Sequence, residues 1–280
     1  MSSRKEKKAQ RHEYMSILEE SRHILNPKTN FYIREAYNTL RTNVIFSLTG
    51  DEKCKVVVVT SSNPGEGKSI TAVNLAISLS ETDKRVLIVD CDMRKPKLHR
   101  LLDMKSDAGV SDVLVEPEKL TESILRCRNG ENLYALLAGR IPPNPSELLG
   151  SQRMQRLLAS CRENFDYIIL DTPPVNMVTD AVVLTPFADG TLFVVRANMS
   201  ERGPVLHAME QLEYSQSKIL GVVFNGIDMQ KTDYGYKKYG YRRYGYKKYG
   251  YYGSGYGSGY GYGYGYGYAA PRETGRSSDR

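Results

Sequence analysis

Three stretches of the chain are apolar at every position for about the length of a strand, and each runs into polar residues able to do chemistry. Val56-Val57-Val58-Val59 leads into Thr60-Ser61-Ser62-Asn63-Pro64-Gly65-Glu66-Gly67-Lys68-Ser69, Val86-Leu87-Ile88-Val89 into Asp90-Cys91-Asp92-Met93-Arg94, and Ile168-Ile169-Leu170 into Asp171-Thr172-Pro173-Pro174. Unbroken β-branched and aliphatic runs suit parallel strands covered on both faces. The second strand is expected over 85–94 and the third over 165–171, with further strands at 133–137, 191–195 and 219–224. Between them the spacing turns helical. Ile70, Val73, Ala76, Ile77 and Leu79 follow the first strand. Ser146, after the rigid Pro142-Pro143-Asn144-Pro145 turn, reads as the N-cap of one helix reaching about residue 161. Another helix lies around 205–212. Upstream, Tyr37, Leu40, Val44 and Leu48 mark one face of a helix over 34–48, and Glu35, Asn38, Arg41 and Asn43 its other, solvated face. Residues 97–130 predict only short helices and loops. Strands alternating with helices at this spacing predict an α/β fold, a doubly wound, mostly parallel sheet with helices on both faces.

The first of these strands carries the most specific signal. Strand, glycine loop, Lys-Ser and helix is the context of a phosphate-binding P-loop, whose backbone N–H groups converge with a helix N-terminus on an anion. One position departs from G-x-x-x-x-G-K-[ST], with Ser62 where the first glycine stands. Lys68 can reach β- and γ-phosphates and the Ser69 hydroxyl can ligate Mg²⁺. In open α/β sheets ligands lie beyond the carboxyl ends of the strands, so Asp90, Asp92 and Asp171 are expected beside the loop. An apolar run closed by Asp171 reads as a Walker B element.

Charge divides the chain further. Residues 1–30 carry 7 basic and 4 acidic groups, residues 31–230 carry 22 and 25, and residues 231–280 carry 10 and 3, which accounts for the formal +7. The reading is a basic N-terminal arm over 1–30, a P-loop domain over 31–230 and a tail over 231–280. The domain is mildly acidic, so nucleic-acid binding would rest on the tail alone. No apolar run approaches the ~20 residues of a membrane span. The charged start lacks the apolar region of a secretory signal, and Cys54, Cys91, Cys127 and Cys161 lack metal spacing and fit a reducing cytoplasm.

From residue 234 the chain repeats Tyr-Gly-Tyr-Lys-Lys or Tyr-Gly-Tyr-Arg-Arg units and then alternates Tyr with Gly. Fifteen of its 21 tyrosines fall there: Tyr234, Tyr236, Tyr239, Tyr241, Tyr244, Tyr246, Tyr249, Tyr251, Tyr252, Tyr256, Tyr260, Tyr262, Tyr264, Tyr266 and Tyr268. Alternating glycine and paired like charges cannot build a packed core, and disorder is expected. Three uses compete: a sticky low-complexity tail, a surface for single-stranded nucleic acid, and a set of phosphate acceptors tethered at high effective concentration beside an ATP site. A related alternative for the whole chain is a P-loop ATPase switch whose basic aromatic tail binds nucleic acid or a membrane surface.

Taken together, the Walker A stretch 62–69, the Asp-x-Asp-x-Arg strand end at 90–94, the Walker B stretch 168–171 and the tyrosine cluster resemble the bacterial tyrosine kinases of exopolysaccharide and capsule synthesis, in the form of the cytoplasmic subunit found in Firmicutes. The resemblance covers about residues 26–268. It implies an ATP- and Mg²⁺-dependent protein-tyrosine kinase that phosphorylates its own tail, mostly between subunits. Pro64, Gly65, Glu66, Gly67, Lys68, Ser69 and Ile70 would bind the nucleotide, with Asn225 near the adenine. Ser69, Asp92 and Asp171 would hold the metal, and Asp90 would activate the tyrosine hydroxyl. The resemblance further implies a ring-shaped homo-oligomer built through a helix in which Glu35 and Arg41 match the family motif and Asn38 replaces its middle arginine. It implies a membrane-anchored activator with a cytoplasmic segment, other protein substrates in polysaccharide synthesis, and a location at the inner face of the cell membrane. The stretch 144–149 matches a family segment whose role the residues do not reveal. Partition and septum-site ATPases of the same fold carry a lysine where this chain has Asn63.

Overall fold

Burial on both faces decides how the apolar stretches assemble. The computed structural model describes residues 20–48, 50 and 52–227. The chain divides into two units, Met1–Thr232 and Asp233–Arg280, and the described residues all belong to the first. The tyrosine cluster lies outside them.

In chain order the elements are α1 (Phe31–Ser47), β1 (Lys55–Ser61), α2 (Lys68–Ser80), β2 (Val86–Asp90), α3 (Leu98–Leu101), α4 (Val110–Val113), α5 (Leu120–Ser123), β3 (Ile124–Arg126), β4 (Leu133–Leu136), α6 (Pro145–Leu149), α7 (Gln152–Arg162), β5 (Tyr167–Asp171), α8 (Asp180–Leu184), β6 (Gly190–Arg196), α9 (Arg202–Tyr214) and β7 (Ile219–Asn225). The strands form one sheet in the order β3-β4-β2-β5-β1-β6-β7. Every pairing is parallel except that of β3 with β4. Register, more than order, places the chemistry. Val59 of β1 and Asp90 of β2 both pair with Asp171 of β5, so the P-loop and two of the acids leave the sheet at one level.

The strand period sorts β1 between two cores. Val57 and Val59 join Val73, Ala76 and Leu79 of α2 with Ile88 and Ile169. Val56 and Val58 join Met154 and Leu158 of α7 with Leu87, Val89, Ile168 and Leu170. Each valine of β1 is wholly buried, a contribution of about 1.5–3 kcal/mol apiece. On α1, Val44 is buried, and Tyr37, Leu40 and, at the helix's C-cap, Leu48 pack beside it on the first core, as their spacing predicts. The Asn30 side chain caps that helix by accepting from the Tyr32 amide at 2.9 Å. On the opposite face Glu35 and Asn43 are exposed as expected, while Asn38 and Arg41 are half-buried. Arg41 reaches the Ser78 carbonyl at 2.6 Å, and Glu35 holds the Asn38 amide at 2.8 Å. Ile24 and Leu25, in the stretch read as a polar arm, are also buried. Asn74 of α2 fixes them, accepting from Leu25 N and donating to the His23 carbonyl.

Three expectations are corrected. The helix from Ser146 is two helices. Ser146 lies inside α6, and Ser151 starts α7 by accepting from the Met154 amide. The second strand stops at Asp90 because its carboxylate accepts the Asp92 and Leu98 amides at 3.2 and 3.1 Å, which turns the chain out of the sheet. Asp92 therefore sits on a loop. Within 97–130, β3 adds a short antiparallel edge, too brief to leave a period in the sequence.

Candidate active site

The loop between β1 and α2 is shaped by backbone that only glycine adopts without strain. Gly65 and Gly67 have φ of +86° and +91°, and a Cβ on Gly67 would lie 2.0 Å from the Asn225 amide nitrogen. The Glu66 side chain turns back into the loop. Its buried carboxylate accepts the Ser62 hydroxyl and the Asn63 amide, both at 2.7 Å, and the Ser200 hydroxyl. The serine at the first P-loop position thereby supplies a donor that glycine lacks. Asn225 donates to the Glu66 carbonyl at 3.1 Å and Arg196 to the Gly65 carbonyl at 2.8 Å. The chain after β5 locks the other side: the Thr172 hydroxyl donates to the Val59 carbonyl, and the Thr60 hydroxyl to that of Pro173, both at 2.9 Å. Gly67 stands at the N-cap of α2 and offers no capping side chain, which leaves the first-turn amides for an anion.

A cavity of about 410 Å³ opens over this turn. Pro64, Gly65, Gly67, Lys68, Ser69 and Ile70 line it together with Asp92. Arg94, Lys95, Lys97 and Arg196 add positive charge to its wall, and Glu20, His23, Pro173 and Pro174 complete much of the rest. Lys68 Nζ lies 3.2 Å from the Ser69 hydroxyl and 3.4 Å from Asp92 Oδ2. Asp90 and Asp171, paired across β2 and β5, are wholly buried and do not themselves line the cavity. Among the residues expected in the site, Glu66 and Asn225 brace the loop instead of lining the cavity, and Glu35 and Arg41 lie on α1.

Burial raises the Asp90 carboxyl well above the ordinary range, helped by the charge of Asp171 and opposed by the Leu98 amide. Burial also raises Asp171, against the pull of Lys68 and the nearby Ser69 hydroxyl. Lys68 moves up as well: burial works to lower its pKa, but Asp171, then Asp92 and Asp90, outweigh it. Both carboxylate oxygens of Asp171 are buried and lack a hydrogen-bond partner among the described residues. A buried carboxylate without partners is costly unless a cation completes it. Among those residues no group of three or more His, Cys, Asp or Glu could hold a metal ion. One hydroxyl with one or two carboxylates, sharing the ion with phosphate oxygens and water, is how Mg²⁺ is held, and Ser69, Asp92 and Asp171 fit that donor set.

The sequence left Asp180 and Arg196 without roles and gave Ser146 only that of a helix cap. The fully buried Asp180 takes the Arg94 guanidinium in two bonds at 3.1 and 3.2 Å. Ser146 donates to Asp180 and accepts from Arg94 at 3.1 Å, which gives the 144–149 segment a place at the carboxyl edge. Proximity across 86 positions leaves no local pattern to read. Arg94 itself stood within the quoted motif, and its partner was the missing signal.

A family model described as an AAA domain matches residues 54–220. Tyrosine-protein kinase YwqD of Bacillus subtilis (strain 168) is 38% identical over 203 residues, covering 72% of this chain and 85% of the relative. The kinase domain of Escherichia coli tyrosine kinase ETK aligns with a TM-score of 0.67 at 31% identity, covering 73% of this chain and 80% of that one. The chimerical protein CapA2B2 aligns with a TM-score of 0.66 at 35% identity, covering 71% and 86%. With the P-loop, the register of its acids and these likenesses in agreement, the chain belongs to the bacterial tyrosine-protein kinases.

Proposed function

We propose that the protein transfers the γ-phosphoryl group of Mg-ATP to the tyrosines of its own C-terminal cluster, mostly between subunits, and so regulates the synthesis and export of exopolysaccharide or capsule. The observation that carries this reading is the buried carboxylate of Asp171, without a hydrogen-bond partner among the described residues and level with a glycine-built anion cradle. It is a site that a Mg-nucleotide completes.

Lys68 and the amides of the loop hold the phosphates, with Pro64, Gly65 and Ile70 closing around them. Asp92, Asp171 and the Ser69 hydroxyl hold Mg²⁺, which neutralises phosphate charge when bound. Free tyrosine has a pKa near 10, and Asp90, raised by burial, is the group to receive its proton. Catalysis is then positioning and charge neutralisation. Each phosphate brings about −1.5 to −2 charges, so roughly four would cancel the tail's positive charge. Glu35 and Arg41 on α1 belong to the surface proposed for a homo-oligomeric ring. The exposed Phe31, Tyr32 and Phe46 on that helix support a face covered by protein. A membrane-anchored activator would bring the kinase to the inner face of the cell membrane, where other proteins of the pathway are substrates.

The test is mass spectrometry of the full chain before and after Mg-ATP, with the activator's cytoplasmic segment present. Phosphate on the cluster between Tyr234 and Tyr268 is expected. Its absence would refute autophosphorylation and favour an ATPase switch whose tail binds something else.

A further inference from the structure

Arg94 lines the nucleotide cavity, yet its guanidinium is held from behind. Nε and Nη2 donate to the two oxygens of Asp180, and Nη2 also meets the Ser146 hydroxyl. Asp180 is wholly buried, while the Arg94 side chain is 40% exposed. Nη1 has no hydrogen-bond partner among the described residues. The loop that carries Arg94 is set by its neighbour: Asp92 Oδ1 accepts the Lys95 amide at 3.0 Å, while Oδ2 faces Lys68. Arg94 thus follows, two residues on, a carboxylate already directed at the phosphate-binding lysine. Its Nε–Nη2 edge is clamped, and the side chain is among those that line the cavity.

We propose that Arg94 is a further catalytic residue, contacting the transferred phosphoryl group through Nη1, with Asp180 and Ser146 as positioning residues that fix its plane. The proposal rests on the cavity being the ATP site. In the step, the bond from γ-phosphorus to the β-phosphate oxygen breaks and its electron pair leaves with ADP. The tyrosyl oxygen bonds to phosphorus and its proton passes to Asp90. Charge spreads over the equatorial phosphoryl oxygens at that moment, and a fixed guanidinium costs little reorganisation in meeting it. Three segments distant in sequence converge to hold this one side chain: the loop after β2, the start of α6 and the start of α8.

The experiment uses the full chain and compares wild type with Arg94→Ala, Arg94→Lys and Ser146→Ala. Three quantities are read: affinity for Mg-ADP, affinity for Mg-ADP with tetrafluoroaluminate, and the initial rate of tyrosine phosphorylation. Arg94→Ala is expected to leave Mg-ADP affinity within about threefold while lowering analogue affinity and rate by about 10³-fold, the lower range for a catalytic arginine. Arg94→Lys should not restore them, because an ammonium cannot fill the planar fork. Ser146→Ala, which removes the hydroxyl's bonds to both Asp180 and Arg94, should lower both by about tenfold. Unchanged analogue affinity and rate in Arg94→Ala would overturn the proposal, as would a parallel loss of Mg-ADP affinity and of cooperative unfolding, which would make the pair structural. A wild-type chain that binds no Mg-ADP would instead refute the nucleotide reading itself.

Discussion

At the amino edge of the sheet Arg162 sits among Glu52, Asp189 and two carbonyls, while at the carboxyl edge Lys68 sits among Asp90, Asp92 and Asp171. The ingredients match and the outcomes differ. Arg162 Nη1 donates to Glu52 Oε2 at 2.9 Å and the Cys54 carbonyl at 2.7 Å, and Nη2 to Asp189 Oδ2 at 3.0 Å and the Phe187 carbonyl at 3.3 Å. Asp189 also accepts the Val56 amide at 2.6 Å, tying the start of β1 to that of β6. Donors and acceptors there answer one another. At the other edge one lysine faces three acids, and the most central of them has no hydrogen-bond partner among the described residues. Satisfied charge fixes structure, whereas charge held unsatisfied by the fold waits for a ligand.

Replacing each cation by methionine separates the two roles. Lys68→Met is expected to lower tyrosine phosphorylation by about 10³-fold, the loss typical of a group that stabilises transition-state charge, with the circular-dichroism spectrum retained. Arg162→Met should leave the rate per folded molecule unchanged and cost about 2 kcal/mol in urea unfolding, because Asp189 and the carbonyls lose their donor. If Arg162→Met impaired the rate of folded protein as strongly as Lys68→Met, the contrast between the edges would fail.

The next effect is smaller and has the opposite sign. Asp90 and Asp171 have folded-state pKa values raised by burial. As pH rises, the unfolded chain therefore releases these protons first. The stability they contribute is complete below the ordinary carboxylate value near 3.9 and is lost as pH climbs through the raised folded values. Asp171→Asn should stabilise the ligand-free protein at neutral pH by about 1 kcal/mol and flatten that pH dependence while destroying activity. Urea unfolding at several pH values reads both. A variant less stable than wild type at neutral pH would show that Asp171 is already satisfied without a ligand.

The same division governs what could be read beforehand. The strands other than β3, α2, the glycine loop and the register-bearing acids were legible because each is a local pattern: an unbroken apolar run that meets a carboxylate or a glycine turn, or apolar residues at helical spacing. The turn at Asp90 was not, since it depends on a side chain accepting the Leu98 amide eight residues on. The break between α6 and α7 hinged on Ser151 competing with Ser146 as a cap, two residues with equal credentials in sequence. The bracing role of the Glu66 side chain was hidden too, since only the fold brings Ser200 to it from 134 residues away. Asp180 offered nothing locally to distinguish it from a solvated acid.

The smallest effect tests whether proximity of opposite charges is enough to matter anywhere on this surface. Arg34 Nη1 lies 2.7 Å from Glu81 Oε1, closer than Lys68 lies to Asp92, yet the two side chains are 28% and 39% exposed. Water screens the pair, and Arg34 keeps a second bond, from Nη2 to the Asn26 carbonyl at 2.7 Å, whether or not Glu81 is present. Glu81→Ala should therefore cost no more than about 0.5 kcal/mol, and that cost should vanish in about 1 M salt, where the screening length falls to about 3 Å. Urea unfolding at low and high salt measures it against Arg162→Met. Distance would then rank these pairs wrongly and burial rightly. A salt-independent loss as large as that of Arg162 would place Glu81 among the structural contacts.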